Sequence, residues 1–157
     1  MKQKILFVCL GNICRSPAAD GVLHAMVVKA GLENYFEIDS AGTYAGHAGE
    51  LPDHRMRQAA LRRGYKLTHR SRPVEIDDFF NFDRIIAMDD SNVENLRRLA
   101  PSPEAVEKIE RFAALCQTHS DVHYVPDPYY GGHDGFDKVL DLLEDGCQTI
   151  LDACEAR

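Results

Sequence analysis

Apolar positions along the chain fall into two rhythms, and each predicts a different element. Lys4-Ile5-Leu6-Phe7-Val8 is a short, nearly unbroken apolar run with β-branched and aromatic members, too short for a helix, and predicts a buried strand. Tyr35-Phe36-Glu37-Ile38-Asp39 predicts a second strand, closed by Ser40-Ala41-Gly42-Thr43; residues 83–88 predict a third, and residues 108–115 contain a fourth. Between these runs the period changes to that of a helix. Ala18, Val22, Ala25, Met26 and Val27 make one apolar face after Pro17, and Gly31 marks its end. Asp53 caps a second helix through Met56, Ala59, Ala60 and Leu61 to Gly64, with Arg55, Arg57, Arg62 and Arg63 as its solvated face. Residues 76–82 form a short helical turn whose three phenylalanines plug the core, and Asp90 or Ser91 caps the helix that ends before Pro101. Phe136, Val139, Leu140, Leu143, Cys147, Ile150, Leu151 and Cys154 recur at i, i+3, i+4, i+7, so both cysteines fall on a core-facing stripe. Strands alternating with helices predict one α/β domain over residues 1–157, a four-stranded parallel sheet with helices on both faces.

The first strand runs into Cys9-Leu10-Gly11-Asn12-Ile13-Cys14-Arg15-Ser16-Pro17. Ser16 before Pro17 reads as a helix start, with a capping hydroxyl and a proline at the first helical position. A tight loop between a strand and a helix N-terminus points backbone N–H groups and the positive end of the helix dipole at an anion. The same field favours the thiolate of Cys9. Arg15 closes the loop with a planar fork able to hold two phosphate oxygens, and the Ser16 hydroxyl can donate to the Cys9 sulfur. Gly11 and Asn12 are the residue types that accept left-handed backbone angles in a curled loop. Near the other end, Val125-Pro126-Asp127-Pro128-Tyr129-Tyr130 is stiffened by prolines on both sides of one aspartate, which suits a general acid. Tyr129 and Tyr130 offer flat walls for an aromatic substrate.

Composition narrows the classes. A formal net charge of −7 argues against nucleic acid as a partner and puts the attraction for a phosphorylated substrate in the loop itself. No apolar stretch reaches membrane-spanning length, and the N-terminus enters the first strand without a signal-peptide pattern, so no membrane role and a cytoplasmic location are expected. Five cysteines, an odd number without regular spacing, do not make a disulfide framework. A zinc site on Cys9 and Cys14 lacks a second pair of ligands at suitable spacing, so no metal or cofactor is expected.

The Cys9–Pro17 segment resembles the signature of the low-molecular-weight protein tyrosine phosphatases, and Asp127-Pro128-Tyr129-Tyr130 resembles their second motif. Segments 39–43 and 87–92 resemble family segments in the right order, so the likeness runs over essentially the whole chain. It implies a bacterial-type member that hydrolyses phosphotyrosine through a phosphocysteine, without metal. In that reading Cys9, Arg15 and Asp127 are catalytic. Leu10, Gly11, Asn12, Ile13, Cys14, Ser16, Tyr129 and Tyr130 bind substrate. Ser40, through Asn12, and His69 support the loop. The implied partners are tyrosine-phosphorylated proteins and a tyrosine kinase, for a monomer or weak homodimer. Cys14 either packs or, as the resemblance implies, forms a protective disulfide with Cys9. The chain departs from the family at Gly46, where many bacterial members carry tryptophan in the cleft wall; Tyr44 is a nearby ring at a different position. Asp89 reads as a second carboxylate for acid catalysis or, more simply, as a cap or turn residue. Three rival readings stand beside this one. An arsenate reductase relays a disulfide through further cysteines, and there is none between Cys14 and Cys116. A protein arginine phosphatase carries threonine where Ile13 stands. A silent phosphate-binding module would not need Cys9, Arg15 and Asp127 together.

Overall fold

The computed structural model describes residues 2–132 and 134–155, and its sheet order follows from which strand is most apolar. Four parallel strands, β1 (Gln3–Cys9), β2 (Phe36–Gly42), β3 (Arg84–Ala87) and β4 (Ile109–Arg111), lie in the order β2-β1-β3-β4. Because β1 is central, from Ile5 to Cys9 it has no solvent face: Ile5, Phe7 and Cys9 point into one apolar layer, Leu6 and Val8 into the other. Helices α1 (Arg15–Lys29), α2 (His54–Arg62) and α6 (Asp134–Glu155) cover the first layer through Val22, Met56 and Leu140. Helices α3 (Asp78–Asn81), α4 (Asp90–Leu99) and α5 (Pro103–Glu107) cover the second through Phe79, Val93 and Ala105. Among the described residues no helix is long and apolar enough to cross a membrane.

Several elements differ from the sequence expectation, each for a tertiary reason. β2 does not close at Ser40: it pairs with β1 residue for residue from Gln3↔Phe36 to Cys9↔Gly42, and the long partner carries its small residues as strand. α1 begins at Arg15, and Ser16 is not its cap, because the Ser16 hydroxyl is turned to other partners. Asp89, not Asp90 or Ser91, caps α4, in a reciprocal box with Asn92. Of the three phenylalanines at 79, 80 and 82, only Phe79 and Phe82 are buried; Phe80 is exposed. The segment before Asp127 is not a strand. It reaches the sheet through one bond, Val125 N–H to the Met88 carbonyl at 2.8 Å, just past the end of β3.

The chain leaves β1 toward β2 on one side and later returns to β3 on the other. The crevice between their carboxyl ends is a topological switch point, where open α/β sheets hold their ligands. Residues 9–15, 88–89 and 125–127 all converge there.

Candidate active site and its relatives

The loop after β1 is held in shape from below by buried polar groups. Asn12 takes the left-handed conformation, φ 56°, and is fully buried. Its Nδ2 donates to Ser16 Oγ at 2.8 Å and to Ser40 Oγ at 3.0 Å. Its Oδ1 accepts from the Arg72 N–H at 3.0 Å and pairs with His69 Nε2 at 2.9 Å; an oxygen that already accepts makes Nε2 the protonated ring nitrogen. Burial lowers the His69 pKa, with Arg72 adding to the effect and Asp39 opposing it. Ser71 Oγ donates to the Gly11 carbonyl at 2.9 Å, so residues 69–72 form a cradle under the loop. Gly11 is not in the left-handed region. A side chain there would meet the His47 ring at 3.0 Å, so this glycine admits His47 against the loop.

Above that frame sit Cys9, Arg15 and Asp127. Ser16 Oγ lies 3.0 Å from Cys9 Sγ and 3.4 Å from the Ala41 carbonyl; it accepts from Asn12, and its one proton has two acceptors in reach, the nearer being the sulfur. Arg15 is 2% exposed, yet its charge is strongly compensated. Nη1 donates to Asp89 Oδ2 at 2.6 Å and to the Val125 carbonyl at 3.0 Å, and Nη2 lies 3.6 Å from Asp127 Oδ2. Burial works against the guanidinium, but Cys9, Asp89 and Asp127 outweigh it and raise its pKa. Asp89 therefore does two things at once: Oδ1 caps α4 and Oδ2 holds Arg15. The signal for this was its place at the end of the strand beside β1, where a capping carboxylate also faces the crevice.

Cys14 is buried. Burial, followed by Asp53, Cys9 and Asp127, pushes its thiol up, so it stays protonated.

Cys9, Leu10, Gly11, Ile13, Cys14, Arg15, Tyr44, His47, Asp127 and Tyr129 line one open cleft. Asn12, Ser16, Ser40 and His69 lie beneath it rather than on it. The side chain of Tyr130 lies outside what the structure describes. Tyr44 and His47 join the wall from the loop where an aromatic was missing: the Tyr44 ring folds across Gly46, so a Cβ at residue 46 would collide with that ring. The helix arginines are not a purely solvated face either. Arg55 bonds Asp53 and the Tyr129 carbonyl, and Arg63 bonds Glu144 and Asp137.

Fold and site together define an α/β enzyme with a cysteine at the mouth of an anion-binding loop. The model of the family described as "Low molecular weight phosphotyrosine protein phosphatase" matches residues 4–157. A Synechocystis relative named for the same family is 45% identical over 149 residues, 95% of this chain and 94% of its own. The crystal structure of a protein tyrosine phosphatase from Entamoeba histolytica superposes with a TM-score of 0.94 at 44% identity, covering 99% of this chain and 98% of that one. A Drosophila arginine phosphatase structure also superposes, with a TM-score of 0.88 at 33% identity over 98% of this chain and 97% of that one. The chain belongs to the low molecular weight phosphotyrosine protein phosphatase family, and is an enzyme of the protein-tyrosine-phosphatase class.

Proposed function

We propose that this chain hydrolyses phosphotyrosine in proteins through a phosphocysteine, by a mechanism that needs no metal. The observation that carries the reading is the meeting of Cys9, Arg15 and Asp127 in one cleft, with Ser16 on the sulfur and Asp127 within 3.6 Å of Arg15. The Cys9 thiolate attacks phosphorus; a sulfur–phosphorus bond forms as the bond to the phenolic oxygen breaks. Arg15 and the loop amides hold the equatorial oxygens and supply the charge compensation. Asp127 gives its proton to the departing oxygen. As carboxylate it then takes a proton from water, whose oxygen displaces the sulfur and releases phosphate. Leu10, Ile13, Tyr44 and Tyr129 give the apolar walls that an aryl ring requires. Ile13, apolar in the cleft, also favours the tyrosine-directed reading over the arginine-directed activity of the Drosophila relative. The cytoplasm, which keeps thiols reduced, is the compartment that suits Cys9. Phosphotyrosine proteins, and through them a tyrosine kinase, are the partners.

The test is hydrolysis of an aryl phosphate in the presence of a chelator, with Cys9→Ser alongside. Turnover by the wild type and none by the variant supports metal-free cysteine chemistry. Turnover that a chelator abolishes, or that survives Cys9→Ser, overturns it.

A further inference from the structure

One pair of residues, Asp53 and Arg55, spans the two loops without belonging to either. The Asp53 N–H donates to the Ile13 carbonyl of the phosphate loop at 2.7 Å. The Asp53 carboxylate, which caps α2, takes Arg55 in a two-pronged pair, Nε to Oδ1 and Nη2 to Oδ2, each at 3.1 Å. The same Nη2 donates to the Tyr129 carbonyl at 3.1 Å, two residues past Asp127. The guanidinium carbon lies 5.3 Å from the centroid of the Tyr129 ring and 4.8 Å from that of Phe136. The first turn of α2 is thus bonded to the nucleophile loop on one side and to the acid loop on the other.

We propose that Arg55 is a positioning residue for the proton-transfer step: with Asp53 it forms a strut that sets the Asp127 loop against the phosphate loop. The inference rests on the reading of Asp127 as the acid. That carboxylate is about one-third exposed, at 32%; its ion pair to Arg15 is long, at 3.6 Å, and its Oδ1 accepts from the Tyr129 N–H at 3.0 Å, so its place depends on where Tyr129 is held. The Arg15 pair draws Asp127 toward the group that holds phosphate, not toward the leaving oxygen. A second hold on the backbone at Tyr129 fixes how the loop approaches. The work needs a planar, multiply donating head that can stack while it bonds, which an ammonium cannot supply. Two charge-assisted bonds to Asp53 keep that head in place although the side chain is 41% exposed.

Arg55→Ala and Arg55→Lys are to be compared with Asp127→Ala and with the Arg55→Ala/Asp127→Ala double variant. The measurement is kcat/KM on phenyl phosphate and on dinitrophenyl phosphate, whose leaving group departs without a proton. Arg55→Ala is expected to lose about tenfold or more on phenyl phosphate and less than about threefold on the dinitrophenyl ester. The alkaline limb of its pH profile should flatten, lysine should not restore it, and the double variant should be no slower than Asp127→Ala. Equal losses on both esters, or a loss that multiplies in the double variant, would overturn the strut. If Asp127→Ala itself keeps full activity on phenyl phosphate, the acid reading falls and takes the strut with it. If Asp127→Ala is slow while Arg55→Ala matches wild type, the strut alone falls.

Discussion

The two loops that meet in the cleft are held by opposite strategies. The phosphate loop is over-determined: Asn12 spends every polar atom of its side chain on buried partners, and Ser16, Ser40, His69 and Arg72 close the network around it. The acid loop is anchored by buried bonds only at its start, where Val125 meets Met88 and Arg15, while Asp127 and Tyr129 are held by part-exposed contacts to Arg15 and Arg55. Buried polar networks are costly to break and rigid when whole, while a loop held by partly exposed contacts can move at little cost. The difference fits the division of labour. In the proposed mechanism the anion site works by not reorganising as charge develops, whereas Asp127, giving a proton to one molecule and taking one from another, must meet both.

That contrast makes substitutions separable, from the largest effect down. Asp127→Ala should lower kcat/KM on phenyl phosphate by roughly 10² to 10³, with the melting temperature nearly unchanged, as steady-state kinetics beside a thermal melt will show. Asn12→Ala should do the reverse to the fold. It strands Ser16, Ser40, His69 and the Arg72 N–H and loses the residue suited to a positive φ, so urea unfolding should show a loss of about 3 kcal/mol. Equal stability losses in the two variants would erase the distinction.

Asp20 probes the underside of the cradle. Burial and the neighbouring Asp39 raise its pKa to about 7, against the help of Ser40. A carboxyl raised above its unfolded value, about 3.9, favours the folded state fully below that value, and the contribution is lost as pH rises toward 7. Asp20→Asn should therefore stabilise the protein by about 2 kcal/mol at pH 8, less at pH 5, and hardly at all at pH 4; chemical denaturation at the three pH values reads it. The smallest effect belongs to the cleft wall. Gly46→Ala should push the exposed Tyr44 ring off residue 46 and raise KM about twofold to fivefold with kcat kept. A fall in kcat instead would mean that this wall touches the chemistry.

The parts of the molecule that were plain in the sequence are those whose cause is local. The β1 run, the Cys9–Pro17 loop and the stripe of α6 each carry their reason within a few residues. What escaped depends on neighbours distant in sequence. β2 runs on through Gly42 because β1 offers seven partners, a fact absent from its own residues. Ser16 looked like a cap because its type and place suited one, but the sulfur and Asn12 claimed its hydroxyl. The aspartate loop joins the sheet edge through one backbone bond, Val125 N–H to the Met88 carbonyl, and nothing in residues 125–130 themselves names that partner. Arg55 read as a solvated cation because its aromatic partners lie more than seventy residues on. Asp89 had both of its readings visible, yet its contact with Arg15 required knowing that β3 lies beside β1.

The packing of α6 on α1 carries a consequence for the growing chain. Cys9 and Arg15 precede α6 by more than a hundred residues, yet the layer beneath them is completed by Phe136, Val139, Leu140, Leu143 and Ile150, and Cys147 Sγ reaches back to the Ala19 carbonyl. A nascent chain that ends before α6 has an uncovered apolar face beside its reactive thiol, and one that ends before Val125 also lacks a carbonyl partner of Arg15. Forming the cleft is therefore a long-range event: the residues around Cys9 gain their apolar floor only when α6 docks, more than a hundred positions further on.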